Sequence, residues 1–214
     1  METIDPSPLI VSLSFWLCSY LVFKSKKEFP GKTYYFLLWV SAGIWWLFAN
    51  FPFLPYQFYI CGVFFGFQVC FGILYFLEQF NFSKKILRIV YLFVLILFLF
   101  YLKLLAGAKT EFLPFPTGVR MRIFLLPGFS SGYLFILIAL LAFILSFVLI
   151  GKWIKEKHIT WDNLSPLYAI FAPLVYAILV IPNGLLLFQG FFYSFLYFFI
   201  PFLVFLAYGK KEKL

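Results

Sequence analysis

The chain spells LVIPNGLLLFQ from Leu179 to Gln189, placing Pro182, Asn183 and Gly184 side by side in an apolar run that then ends on Gln189. In a helix, Pro182 removes the hydrogen bond to the Ile178 carbonyl and Pro173 does the same to Ala169, while Gly184 loosens the same turn. In an apolar surrounding such a break persists only where a neighbouring helix, a side chain or water satisfies the freed carbonyl. The Asn183 amide and a water are the candidate partners. Further carboxamides stand at Asn50, Gln57, Gln68 and Gln189, with Tyr56, Tyr59 and Trp45 or Trp46 as aromatic neighbours. The chemistry open to such a set is hydrogen bonding to a neutral molecule inside an aromatic pocket. The commoner use of such residues is as hydrogen-bond glue between helices at a proline kink. Both readings stand at this point.

Other chemistry is poorly provided for. Glu78 is the one acid inside an apolar run, close to Lys84 and Lys85, and reads as an interfacial carboxylate or a buried functional one. No paired acids, Ser/His pair or glycine-rich phosphate loop accompanies it, and nucleophilic or acid–base catalysis needs such a set at one place. His158 is the single histidine, and Cys18, Cys61 and Cys70 lie in apolar runs without metal-ligand spacing. The expectation is a protein that is not an enzyme and has no metal or cofactor. The last apolar run, FFYSFLYFFIPFLVFLAYG, has no lysine, which excludes a retinal Schiff base at that place.

The elements that position these residues follow from composition. Of the 214 residues 64% are hydrophobic, 25% aromatic and 12% charged, whereas a soluble domain is about 45–50% apolar and about 25% charged. The solvent for most of this surface must be lipid. Crossing the hydrocarbon core takes about 20 apolar residues in a helix. Seven stretches qualify, near 8–24, 33–54, 58–80, 86–105, 130–155, 163–188 and 191–209. The expected fold is an all-α, seven-helix membrane bundle in one domain, with a long outer loop near 106–129.

Basic residues orient it. Lys24, Lys26, Lys27, Lys32, Lys84, Lys85, Arg88, Lys152, Lys155, Lys157, Lys210, Lys211 and Lys213 fall on one side, against Lys103, Lys109, Arg120 and Arg122 on the other. The leading METIDPSP is acidic, so the chain is expected to run N-outside and C-inside. The first run is expected to be a retained anchor and not a cleaved signal peptide. The tail after Tyr208 is expected to add no catalytic domain. The net charge of +9 then forms a collar for anionic headgroups and calls for the lipid bilayer as partner, not nucleic acid.

Two further patterns bear on packing. Gly62, Gly66 and Cys70 share a helical face at a spacing of four, which lets another backbone approach closely. That face suits a homodimer seam or a neighbour in the same bundle. In the outer loop, proline and glycine exclude a helix, and Glu111–Leu113 can pair with Val119–Phe124 as a hairpin because VRMRIF alternates. Arg120 and Arg122 there suit an anionic contact or plain solvation. Tyr34, Tyr35, Trp153, Trp161 and Tyr208 sit where interfacial aromatic belts are expected.

The WVSAGIWWLFANFPFL second run, the YFLEQF end of the third, and a loop ending PGFSSGYLFILIALLAFILSFVLIGKWIKEK complete the layout. This layout resembles the seven-helix sensor region at the amino terminus of some bacterial sensor histidine kinases and related signalling receptors. The resemblance implies a bacterial cytoplasmic (inner) membrane, sensing of a ligand or membrane state, and output through the last helix. No single residue role carries over, and the kinase such a region drives lies outside this sequence. The expected function is a receptor-like sensor acting through a protein partner. A non-catalytic subunit anchoring a larger membrane complex comes second, and a carrier of a neutral solute third.

Overall fold

A computed structural model describes residues 7–48, 56–80, 82–115, 118–156, 164–184 and 191–209. Charge, proline and glycine punctuate the helices. Lys24 closes α1 (Ser7–Lys24), and Gly31, at φ 73°, turns the chain into α2 (Lys32–Phe48). The left-handed conformation there favours a residue without Cβ, and an added Cβ would lie 3.3 Å from the Tyr75 carbonyl oxygen. Then follow α3 (Gln57–Gln79) and α4 (Lys84–Ala106). The hydroxyl of Ser83 caps α4 by accepting the Ile86 N–H at 3.4 Å. After the loop come α5 (Ser131–Glu156), α6 (Ser165–Gly184), α7 (Phe191–Phe195), a 3-10 turn at Leu196–Phe198, and α8 (Phe199–Tyr208).

Four of these helices, α1, α3, α4 and α5, are long and apolar enough to cross a membrane by length and composition, and shorter apolar helices cover Ser165–Val180 and Tyr193–Tyr208. The expected helix over 191–209 is interrupted by the 3-10 turn. The expected stretches 33–54 and 163–188 run past Phe48 and Gly184 into positions outside the described residues. The expectation of an all-α chain is corrected by a three-stranded antiparallel sheet, β1 (Lys109–Phe115), β2 (Gly118–Leu126) and β3 (Phe129–Ser130). Its register sets Glu111 opposite Arg122 and Leu113 opposite Arg120, the pairing that the alternating VRMRIF stretch calls for. Ile123 and Leu125 are buried with Leu105 of α4, and Phe58 and Val63 of α3 and Leu134 of α5 pack around them. The sheet is therefore seated across one end of three helices.

The opposite end is tied together by side chains. Lys27 Nζ donates to Ser165 Oγ (3.3 Å) and to the Ala207 carbonyl (3.2 Å), and Ser25 Oγ donates to the Tyr208 carbonyl (3.0 Å). The Gln79 amide reaches the Pro30 carbonyl, and Lys152 Nζ reaches that of Phe80 at 3.4 Å. The ends of α1, α3, α5 and α8 and the starts of α2 and α6 thus meet here, and so must the start of α4 next to the end of α3. With α7, the turn and α8 taken as one column, the chain runs alternately up and down.

The main core lies among α1, α2, α6 and α8, around the fully buried Phe15, Trp39, Ala172, Ile200 and Val204. α4 is peripheral. It packs along α3 and leaves Leu92, Phe93, Ile96 and Phe100 exposed, an apolar surface of the kind a membrane-spanning helix presents. Tyr35 and Tyr208, expected in an interfacial belt, are instead buried, at 0% and 3% exposure. The loop after α1 explains this: it folds across them, with Phe29 edge-on to Tyr208 at 5.1 Å.

Candidate functional site

Three helices bring polar atoms to one buried point. Gln68 Nε2 of α3 donates to the Tyr176 hydroxyl of α6 at 2.6 Å, and Trp46 Nε1 of α2 donates to the same oxygen at 3.4 Å. A phenol oxygen has two lone pairs. Both are committed to these two donors. Gln68 is 5% exposed, and its Oε1 has no hydrogen-bond partner among the described residues. Turning the amide over would exchange the unmatched end without removing it. A buried polar atom left unmatched costs about 1–3 kcal/mol, so this junction is a place where a bound molecule is rewarded.

Aromatic rings enclose the junction. Phe15 of α1 meets Tyr176 edge-on at 4.9 Å and stacks on Trp39 at 5.5 Å. Tyr197 lies 5.5 Å from Trp46, 6.0 Å from Phe15 and 6.4 Å from Tyr176. Tyr197 is the middle residue of the 3-10 turn in the last column. The break has a local cause: Pro201 lacks the N–H that would bond the Tyr197 carbonyl, and its ring crowds that carbonyl. A 3-10 stretch inside a helix is a common mark of a hinge. Pro201→Ala is expected to let Leu196–Phe198 continue as α-helix. Amide hydrogen exchange of that turn should then slow at least several-fold, which mass spectrometry of the reconstituted variant would show.

The residues named from the sequence are dispersed. Gln57 is buried, but its amide donates to the Phe48 carbonyl at 2.6 Å and staples α2 to α3. It stands 11 residues before Gln68 on α3, about 16 Å along the axis, so the two do not share a site. Pro182 and Asn183 occupy the last described turn of α6, about 10 Å beyond Tyr176, and their side chains lie outside the described ones. Asn50 and Gln189 lie outside the described residues. The carbonyl found with a cross-helix partner near this turn is that of Leu179, which accepts the Tyr193 hydroxyl from α7. Gly62 and Gly66 face α4. A Cβ at Gly62 would lie 2.5 Å from Leu105, and one at Gly66 2.7 Å from Phe98, while the Tyr101 hydroxyl donates to the Gly62 carbonyl at 2.9 Å. Cys70 is half-buried and, like Cys18 and Cys61, a free thiol.

Glu78 accepts a hydrogen bond from the Tyr91 hydroxyl of α4, and Tyr34 lies against Tyr91 at 6.0 Å. Its partner is thus a phenol, not the lysines that follow it in sequence. No group of three metal-ligating side chains occurs among the described residues. Tyr176, Tyr193, Tyr197 and Pro201 were not marked by the sequence reading. One signal was available for Tyr176: a tyrosine in the middle of AIFAPLVYAILV sits far from the interfacial belts where tyrosine is usual. No known protein family, characterised protein or solved structure matches the chain.

Proposed function

We propose that the protein is a seven-span sensor of the inner membrane, N-outside and C-inside, which signals through a protein partner at its basic end. The observation that carries this reading is the unmatched Gln68 amide at a junction sharing one ring cluster with the 3-10 turn of the last column. The alternating columns and the gathering of Lys27, Lys32, Lys84, Lys85 and Lys152 near one end of the bundle support the orientation.

A small neutral molecule that donates to the unmatched Gln68 Oε1 would draw the amide away from Tyr176. Tyr176 would then shift against Phe15, Trp46 and Tyr197, and the turn at Tyr197 would change its balance between 3-10 and α geometry. α8 carries that change to the carbonyls of Ala207 and Tyr208, which the Ser25–Gly31 loop holds. For the ligand to act, it must bind one arrangement better than the other, and couplings of this kind are about 1–3 kcal/mol.

The loop contact has its own test. Lys27 places a cation at the C-terminal end of α8, an interaction of about 0.3–1 kcal/mol. Lys27→Met is expected to speed amide exchange in the last turn of α8 and leave α3 and α4 unchanged. The functional reading is tested by gentle extraction from the native membrane, sizing, and mass spectrometry of what co-migrates. A stoichiometric soluble signalling protein supports the sensor. A fixed set of integral membrane subunits would replace it with the anchoring-subunit reading.

A further inference from the structure

We propose that Tyr35, Trp39 and Tyr208 form a second site, at the basic end of the bundle, that takes a monatomic anion of the halide class. It involves other donors than the Gln68 junction and stands whether or not that junction binds a ligand. The Tyr35 hydroxyl, the Trp39 indole N–H and the Tyr208 hydroxyl are all buried, at 0%, 0% and 3% residue exposure. None has a hydrogen-bond partner among the described residues. Three unmatched donors in one cluster are unusual, since buried polar side chains are nearly always satisfied.

The fold brings them together from two helices. Tyr35 and Trp39 stand four residues apart on one face of α2, their rings edge-on at 5.5 Å. Tyr208, the last residue of α8, stacks against Tyr35 at 5.6 Å, and Tyr75 of α3 lies 4.6 Å from the same ring. The hydroxyls of Tyr75 and Tyr208 and the thiol of Cys18 lie close enough to the Tyr35 hydroxyl to interact with it electrostatically. The Trp39 N–H sits beside the Tyr35 hydroxyl without meeting hydrogen-bond geometry.

The chemistry asked for is an acceptor. The indole can only donate, and each phenol can donate its proton. The surroundings favour negative charge. Tyr35 lies in the first turn of α2, whose N-terminus carries partial positive charge. Lys27 and Lys32 lie at this end, bonded to the Ala207 and Ser25 carbonyls, and the nearby Glu28 is held by Lys32 at 2.9 Å. The carbonyls of Ala207 and Tyr208, which would repel an anion, are occupied by Lys27 and Ser25. The rings already touch, so a phosphate or carboxylate would have to prise them apart. A single atom meets only the donor atoms and the positive ring edges.

The test uses the full chain in lipid nanodiscs, titrated with sodium chloride or bromide against gluconate at constant ionic strength. Thermal stability should rise saturably with either halide. Bromide should also quench a saturable part of the tryptophan emission that is missing in Trp39→Phe. In Tyr35→Phe and in Tyr208→Phe the apparent halide affinity should fall at least about tenfold, as expected for losing a hydrogen bond to a charged group. Stability equal in halide and gluconate, with purely linear quenching in the wild type, would overturn the proposal even if a variant failed to fold. So would a halide response unchanged in both phenylalanine variants.

Discussion

Replacing Gln68 with leucine is expected to remove the response to ligand while leaving the folded bundle intact. The amide makes one hydrogen bond, to Tyr176 at 2.6 Å, and its other end is unmatched. Hydrogen bonds between helices in membranes average about 0.6 kcal/mol, and leucine relieves the cost of the unmatched end. Thermal stability should therefore hold or rise, by up to about 2 kcal/mol. A molecule that binds by satisfying the amide should lose most of its affinity, tenfold for each 1.4 kcal/mol of contact removed. Thermal-shift screening of neutral amphipathic molecules on wild type and Gln68→Leu in parallel measures both quantities. Ligands that stabilise the two proteins equally would place the binding site elsewhere. Tyr176→Phe is the companion variant: it keeps the ring against Phe15 and removes the shared hydroxyl.

The largest loss of stability is expected at Gly66. A Cβ there would stand 2.7 Å from Phe98 and 2.9 Å from Tyr101, both on α4. Gly66→Val adds two further methyl groups to that overlap, so α3 and α4 must separate or the rings must leave their rotamers. Overpacking of this kind costs about 1–3 kcal/mol. At Gly62 the overlap is with the tip of Leu105, 2.5 Å away, and a leucine side chain yields more readily than two aromatic rings. Gly62→Ala should therefore be milder than Gly66→Val, and the pair Gly62→Ala with Leu105→Ala milder still than Leu105→Ala alone. Unfolding in a mild detergent series reads these differences. Equal effects at the two glycines would mean that α4 does not lie on this face.

What could be read from the residues, and what could not, divides along physical lines. Lysines, prolines and glycines interrupt apolar runs wherever helices end, so α1, α3, α4 and α5 were legible within a residue or two. The hairpin was legible because VRMRIF alternates and FPFPTG turns. That it makes the chain more than all-α depends on Ile123 and Leu125 finding Leu105, a contact between distant segments that alternation does not reveal. Gln57 and Gln68 look alike in sequence, yet one staples a helix junction and the other sits in the core. Only the order of neighbours around α3 separates them. Tyr176 and Tyr197 read as aromatic bulk among so many phenylalanines, because a phenol shows its role through the atom it meets. Pro201 was legible in principle, by counting four residues back to Tyr197. The buried Tyr35 and Tyr208 were misplaced by position alone, since a tyrosine at a helix end faces headgroups only when no loop covers it.

Amide hydrogen exchange of the wild type and Gln68→Leu in lipid nanodiscs, with no ligand added, reads whether the Gln68–Tyr176–Trp46 junction and the 3-10 turn at Tyr197 move as one mechanical unit. Exchange in Leu196–Phe198 and the first turn of α8 should change along with that in α3 and α6. A change confined to the turns around Gln68 and Tyr176, with the last column exchanging as in the wild type, would contradict it.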